Sequence, residues 1–203
     1  MGTLFLFGLL DLGFAGLVVA IEVATGHPLQ MASPPNASPS IDDALWQIGT
    51  AFALVLPLRN RLALWIAPVL ALGFDVDHIF GTVLPTIDGR TSHDVFFVVL
   101  LAVVLYLVQG RSPALIGAGV VVAHLAVDGG SFPWFGPFST AGYPLPLPLA
   151  LALLALASAI MALGVQPVRK ILTIRTLLPI AVSCAVVGSV LAFVPFVSTW
   201  SLS

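Results

Sequence analysis

Ser92-His93-Asp94-Val95-Phe96-Phe97-Val98-Val99-Leu100-Leu101-Ala102-Val103-Val104-Leu105-Tyr106-Leu107-Val108-Gln109 decides the fold of this chain. Between Val95 and Val108 it holds no charged residue, no glycine and no proline. A membrane-spanning helix needs about 20 apolar residues, with a range near 17–25, and this stretch has that length and character. Its only ionisable groups, His93 and Asp94, stand at its start. Ionisable groups in or beside a span are costly and mark a site by default.

The rest of the chain repeats the pattern. Of 203 residues, 59% are hydrophobic and 8% charged, with a mean hydropathy of +1.11. Soluble domains carry about 25% charged residues. Apolar runs bounded by polar or Pro/Gly-containing segments predict helices over Thr3–Ala24, Ile41–Leu58, Leu62–Asp77, Ser92–Gln109, Pro113–Val127, Leu145–Val165 and Thr176–Val197. The expected fold is an all-α polytopic transmembrane bundle of about seven spans, a single integral membrane domain over residues 1–203. The first run lacks a basic n-region and carries Asp11, so it reads as a retained helix and not as a cleaved signal peptide. Ser40 is the expected N-cap of the helix at Ile41. Phe132–Pro148, rich in aromatic residues and proline, reads as a rigid loop at the membrane interface. Trp46, Trp134, Tyr143 and Trp200 suit an aromatic belt, whereas Trp65 is expected to pack inside.

Basic residues orient the bundle. With the N-terminus cytoplasmic, Arg59, Arg61, Arg111, Arg169, Lys170 and Arg175 fall inside and only Arg90 outside, as the positive-inside rule requires. All four histidines, and every acidic residue except Asp11, then fall towards the outer side. The net charge of −2 gives no reason to expect nucleic-acid binding. The single cysteine, Cys184, excludes an internal disulfide framework and a cysteine-rich zinc site.

Three polar clusters share that outer face: Asp75-Val76-Asp77-His78, Arg90-Thr91-Ser92-His93-Asp94 and His124-Leu125-Ala126-Val127-Asp128. Asp75 and His78 are three apart, and His124 and Asp128 four apart, spacings that share a helix face. Imidazoles and carboxylates converging from separate segments point to a divalent metal, with zinc the first expectation. Asp75, His78, His93, His124 and Asp128 are the candidate ligands. Asp77 and Asp94 are candidate catalytic bases, and Arg90 is suited equally to holding a substrate phosphate and to pairing with Asp88 or Asp94. Asp75, Asp77 and Asp94, each taken singly, read first as solvated interface residues at helix ends. His124, inside the apolar run Val120–Val127, resists that explanation. Glu22 and His27 lie near the outer end of the first helix and are secondary ligand candidates.

The order Asp-x-Asp-His, then Arg followed by Thr/Ser-His, then His-x-x-x-Asp with a Pro/Gly-rich tail resembles the YdjM-like family of inner-membrane, metal-dependent hydrolases of inferred activity. The matching stretches are Leu72–His78, Gly89–His93, Ala123–Asp128 and Thr140–Leu145, so the motif-bearing region covers residues 72–145. The resemblance implies a prokaryotic cell membrane and a metal site at Asp75, Asp77, His78, His93, His124 and Asp128. It also implies hydrolysis by analogy with zinc-dependent phospholipase C-like enzymes. The chain departs from the family in having Phe74 where a proline is usual. It also has Gly89-Arg90-Thr91-Ser92-His93 where the family has His-Arg-Gly-x-Thr-His, and no histidine before His27.

Three functions compete on these residues. The first is a hydrolase working at the outer membrane–water boundary, with membrane lipids around it and a lipid-like or phosphoester substrate, Phe132–Pro148 serving as a lid. The second is a non-catalytic structural membrane subunit with a degenerate or structural metal site, which the missing family histidines favour. The third is a haem-binding electron carrier using two histidines. A retinal protein is excluded because the only lysine, Lys170, lies in a cytoplasmic loop.

Overall fold

The structure, a computed structural model, describes residues 13, 20, 24, 41–74, 93–128, 131–132, 143–167 and 173–193. Six helices carry almost all of them: α1 (Ile41–Val55), α2 (Arg61–Gly73), α3 (Val95–Gln109), α4 (Arg111–Val127), α5 (Leu147–Val165) and α6 (Ile174–Phe193). The fold is all-α. Its one exception among the described residues is a two-residue antiparallel pairing of β1 (Ser131–Phe132) with β2 (Tyr143–Pro144). The helix expected over Thr3–Ala24, and Ser40 as a cap, lie outside the described residues apart from Gly13, Ala20 and Ala24, which are helical.

Local chemistry accounts for where the helices begin and end. α1 runs into a short 3-10 turn, Leu56–Leu58, and Arg59 then takes a left-handed conformation (φ 49°) that turns the chain back. Asn60 caps α2, its side-chain oxygen accepting from the Ala63 N–H at 3.0 Å, which satisfies one of the donors that a helix start leaves orphaned. Gly110 separates α3 from α4 with a φ of 86°, a conformation open to glycine at no steric cost. Pro113 falls in the first turn of α4, where its missing N–H costs nothing. α2 is described to Gly73, with Phe74 in right-handed geometry as its C-cap; residues 75–77, the end of the helix expected over Leu62–Asp77, lie outside the described residues.

α4 is the central element. It packs against α1, α2, α3 and α5, and every residue from Ile116 to Val127 is buried. Small residues make that possible, because a helix packed on several sides needs close backbone approach. A Cβ on Gly119 would overlap the Met161 side chain of α5 and stand 2.9 Å from the Ala157 carbonyl oxygen. At the opposite end of the same contact, Ser112 Oγ donates to the Gly164 carbonyl at 2.6 Å and Arg111 donates to the Leu163 carbonyl at 3.1 Å. Two of the carbonyls orphaned at the C-terminus of α5 are thereby satisfied from the start of α4.

The outward faces are apolar too. α3 buries Phe97, Leu101 and Leu105 along one stripe, yet its other faces expose Val99, Val103, Tyr106 and Leu107. α2 exposes Leu62, Trp65, Val69 and Leu72. Trp65 is 77% exposed and does not pack inside as expected. One helix among the described residues, Leu147–Val165, is long and apolar enough to cross a membrane; the other apolar stretches of the described helices are shorter.

Candidate metal centre

The site forms where α2 and α4 end and α3 begins. His93 precedes the Asp94 cap of α3, His124 lies in the last turn of α4, and Asp128 is the C-cap of α4. Asp128 keeps right-handed helical geometry (φ −67°, ψ −20°), and its N–H donates to the His124 carbonyl at 2.9 Å. The helical spacing of four therefore holds, and both side chains project to the same side.

His93 Nε2 and His124 Nε2 stand 3.1 Å apart, and His93 Nε2 lies 3.7 Å from Asp128 Oδ2. One ligand atom from each of the three residues falls within 4.8 Å of the others. His93 is fully buried, His124 is 2% exposed, and the Asp128 side chain is 11% exposed. A neutral imidazole has one N–H and one lone pair. Two Nε2 atoms at this distance need either a proton or a cation between them, since two facing lone pairs would repel. With ligand bonds of about 2.0–2.2 Å, the two measured separations subtend angles of roughly 100° and 125° at a common ion. The group can hold a metal ion. Two imidazoles and one carboxylate leave coordination positions for water or substrate, as catalytic metal sites do.

Three aromatic contacts wall the group. The Phe74 ring lies 4.6 Å from that of His93 and 4.5 Å from that of His124, centroid to centroid, and the two imidazoles are 5.0 Å apart. Phe97 backs Phe74 at 5.5 Å. Phe74 drew notice in the sequence only as a departure, a phenylalanine where the resembled family usually has proline before its Asp-x-Asp-His; nothing marked it as a neighbour of the two imidazoles.

Asp94 stands apart from the three ligand atoms. It is fully buried and caps α3, Oδ1 accepting from the Phe97 N–H at 2.7 Å. Asp94→Ala should destabilise the protein by about 1–2 kcal/mol, the usual loss for a helix cap, whereas Asp94→Asn keeps an accepting oxygen and most of that stability. Thermal unfolding in detergent tests this, and an alanine variant as stable as wild type would remove the cap from the account. Asp75, Asp77, His78 and Arg90, along with Glu22 and His27, lie outside the described residues. Of the expected convergence of His78, His93, His124 and Asp128, the last three come together.

No family model, curated protein or solved structure matches the chain.

Proposed function

We propose that this chain is a multi-pass membrane protein that binds a divalent metal through His93, His124 and Asp128 and uses it to hydrolyse a lipid-like substrate. The carrying observation is the meeting of the two Nε2 atoms at 3.1 Å beside the Asp128 carboxylate. Zinc is the favoured ion, since a mixed nitrogen and oxygen set suits it. A metal in such a site lowers the pKa of a bound water and polarises a scissile phosphoryl or acyl group.

The protein's own residues have distinct parts in this reading. His93, His124 and Asp128 hold the ion. Asp75 and His78 complete or extend the ligand set, supported by Phe74, one peptide bond before Asp75, touching both imidazoles. Asp94 Oδ2, buried and without a hydrogen-bond partner, and Asp77 are the candidate bases. Arg90 is assigned to a substrate phosphate. The resemblance to the YdjM-like family supports the same assignment and a prokaryotic cell membrane.

Membrane embedding in about seven spans rests on the apolar outward faces of α2, α3 and α6, which carry Leu62, Val69, Val99, Val103, Leu178 and Val182 towards the exterior. Soluble monomers rarely expose contiguous apolar patches larger than a few hundred Å². The basic residues put the N-terminus in the cytoplasm and the site on the outer face. In a Cys184→Ala background, cysteine at Ser139 should react with an impermeant reagent on intact cells. Labelling only after permeabilisation would invert the orientation.

Metal analysis of the purified protein, joined to assays on phospholipids and lipid phosphates, tests the function. A bound ion with hydrolysis supports the proposal, and absence of any ion, even after zinc addition, overturns it. The enclosure of His93 and His124 favours a second reading, a structural membrane subunit with a stabilising metal; a tightly held ion without hydrolysis would select it. The haem reading loses ground, because nitrogens 3.1 Å apart leave no room for a porphyrin iron between them.

A further inference from the structure

We infer that Phe74 is a positioning residue for the metal site, an inference resting on the metal reading above: its ring sets the mutual tilt of the two imidazoles that brings their Nε2 atoms together. Rotation of an imidazole about its Cβ–Cγ bond is broad and weakly restrained by rotamer preference. His93 lies before α3, so no helical backbone sets the direction of its side chain. Metal-bound imidazoles are commonly oriented through a hydrogen bond from their second nitrogen. Ring packing adds a second restraint here.

Phe74, His93 and His124 form a closed triangle. Phe74 meets His93 at an interplanar angle of 47° and His124 at 71°, and the imidazoles meet each other at 65°. Each ring therefore blocks rotation of the other two. Phe74 is itself fixed from two directions. Its N–H donates to the Leu70 carbonyl at 3.0 Å, which ties it to the end of α2, and Phe97 lies against its ring at 5.5 Å. It is completely buried, so nothing but protein surrounds it. Close-packed interiors transmit such restraints, because a side chain has no free volume into which to relax. Through Phe74, the end of α2 reaches both imidazoles of the metal site.

Leucine in place of Phe74 removes the ring faces and leaves room for either imidazole to turn. Cobalt(II) titration of the full-length protein in detergent, followed by visible absorption, reads the result. Wild type should give a ligand-field band that saturates at one ion per chain. Phe74→Leu should bind cobalt about 10–100-fold more weakly, the loss typical when a residue that orients a ligand is removed, with an altered band shape. Phe74→Met, whose flexible thioether fills an irregular space without a ring, should behave alike, which covers a failure of the leucine variant to fold. Leu105→Ala, at a buried position of the same core about 12 Å along α3 from Phe97, should leave the affinity near that of wild type. Unchanged affinity and spectrum in both Phe74 variants would overturn the inference alone, as would equal weakening in Leu105→Ala, which would mark a general loss of packing. Absence of any cobalt band in wild type would overturn the metal reading and this inference with it.

Discussion

His124→Ala is expected to strip the protein of its metal: wild type should carry about one ion per chain, as a single three-ligand site requires, and the variant none. His124 is the member of the group least open to replacement. It is buried in the central helix, its Nε2 is 3.1 Å from that of His93, and it shares a helix side with Asp128. Alanine takes one donor nitrogen from the group and leaves a cavity in its place, and coordination bonds extend only about 2.0–2.2 Å. The affinity loss should therefore exceed the roughly 10–100-fold expected for a residue that merely orients a ligand. Hydrolysis, where the wild type shows it, should vanish with the metal. Asp77→Asn should instead retain the ion and lose about 10²–10⁴ in rate, the usual contribution of a general base. Elemental analysis of the variants decides the matter, and a His124→Ala protein with wild-type metal content would remove this site from the account.

Gly119→Leu is expected to prevent α4 and α5 from packing, so that little folded protein accumulates. Even the alanine variant brings a Cβ to 2.9 Å from the Ala157 carbonyl oxygen, a backbone atom that cannot step aside as the Met161 side chain can. Overpacking of this kind costs typically about 1–3 kcal/mol, and the isobutyl group of leucine has far more to displace. Gly49 in α1 provides the contrast. A Cβ there meets nothing within 4 Å, so Gly49→Ala should be neutral or stabilise by up to about 1 kcal/mol through the better helix propensity of alanine. Gly119 also lies five residues before His124 on the same helix, roughly 7–8 Å along the axis at 1.5 Å per residue. A shift of α4 that relieves the clash in Gly119→Ala must carry His124 with it, so cobalt affinity should fall together with stability. Thermal unfolding and cobalt titration of the alanine pair test both effects; a Gly119→Ala protein as stable as Gly49→Ala would show that the α4–α5 contact accepts a Cβ and would remove the clash from the account.

The described helices were legible in local sequence. Runs such as Val95–Gln109 and Leu147–Val165 are apolar on every side, and at Asn60, Gly110 and Pro113 capping and backbone preferences that act over a few residues set where helices begin. The pairing of His124 with Asp128 was equally legible, because a spacing of four is a property of one helix. Packing between segments far apart in the chain was not. Nothing local distinguishes α4 as the buried centre from α3 as a peripheral helix; that follows from how Gly117 and Gly119 admit Leu105 and Met161 at close range. Trp65 was expected inside and stands outside, since the face a helix turns inward is chosen by its neighbours. Likewise, the tertiary structure alone brings His93 to within 3.1 Å of a histidine 31 residues away and sets Phe74 against both rings. Apolar side chains carry no label for their partners, because hydrophobic burial is non-directional; only the assembled bundle gives Phe74 its two imidazoles.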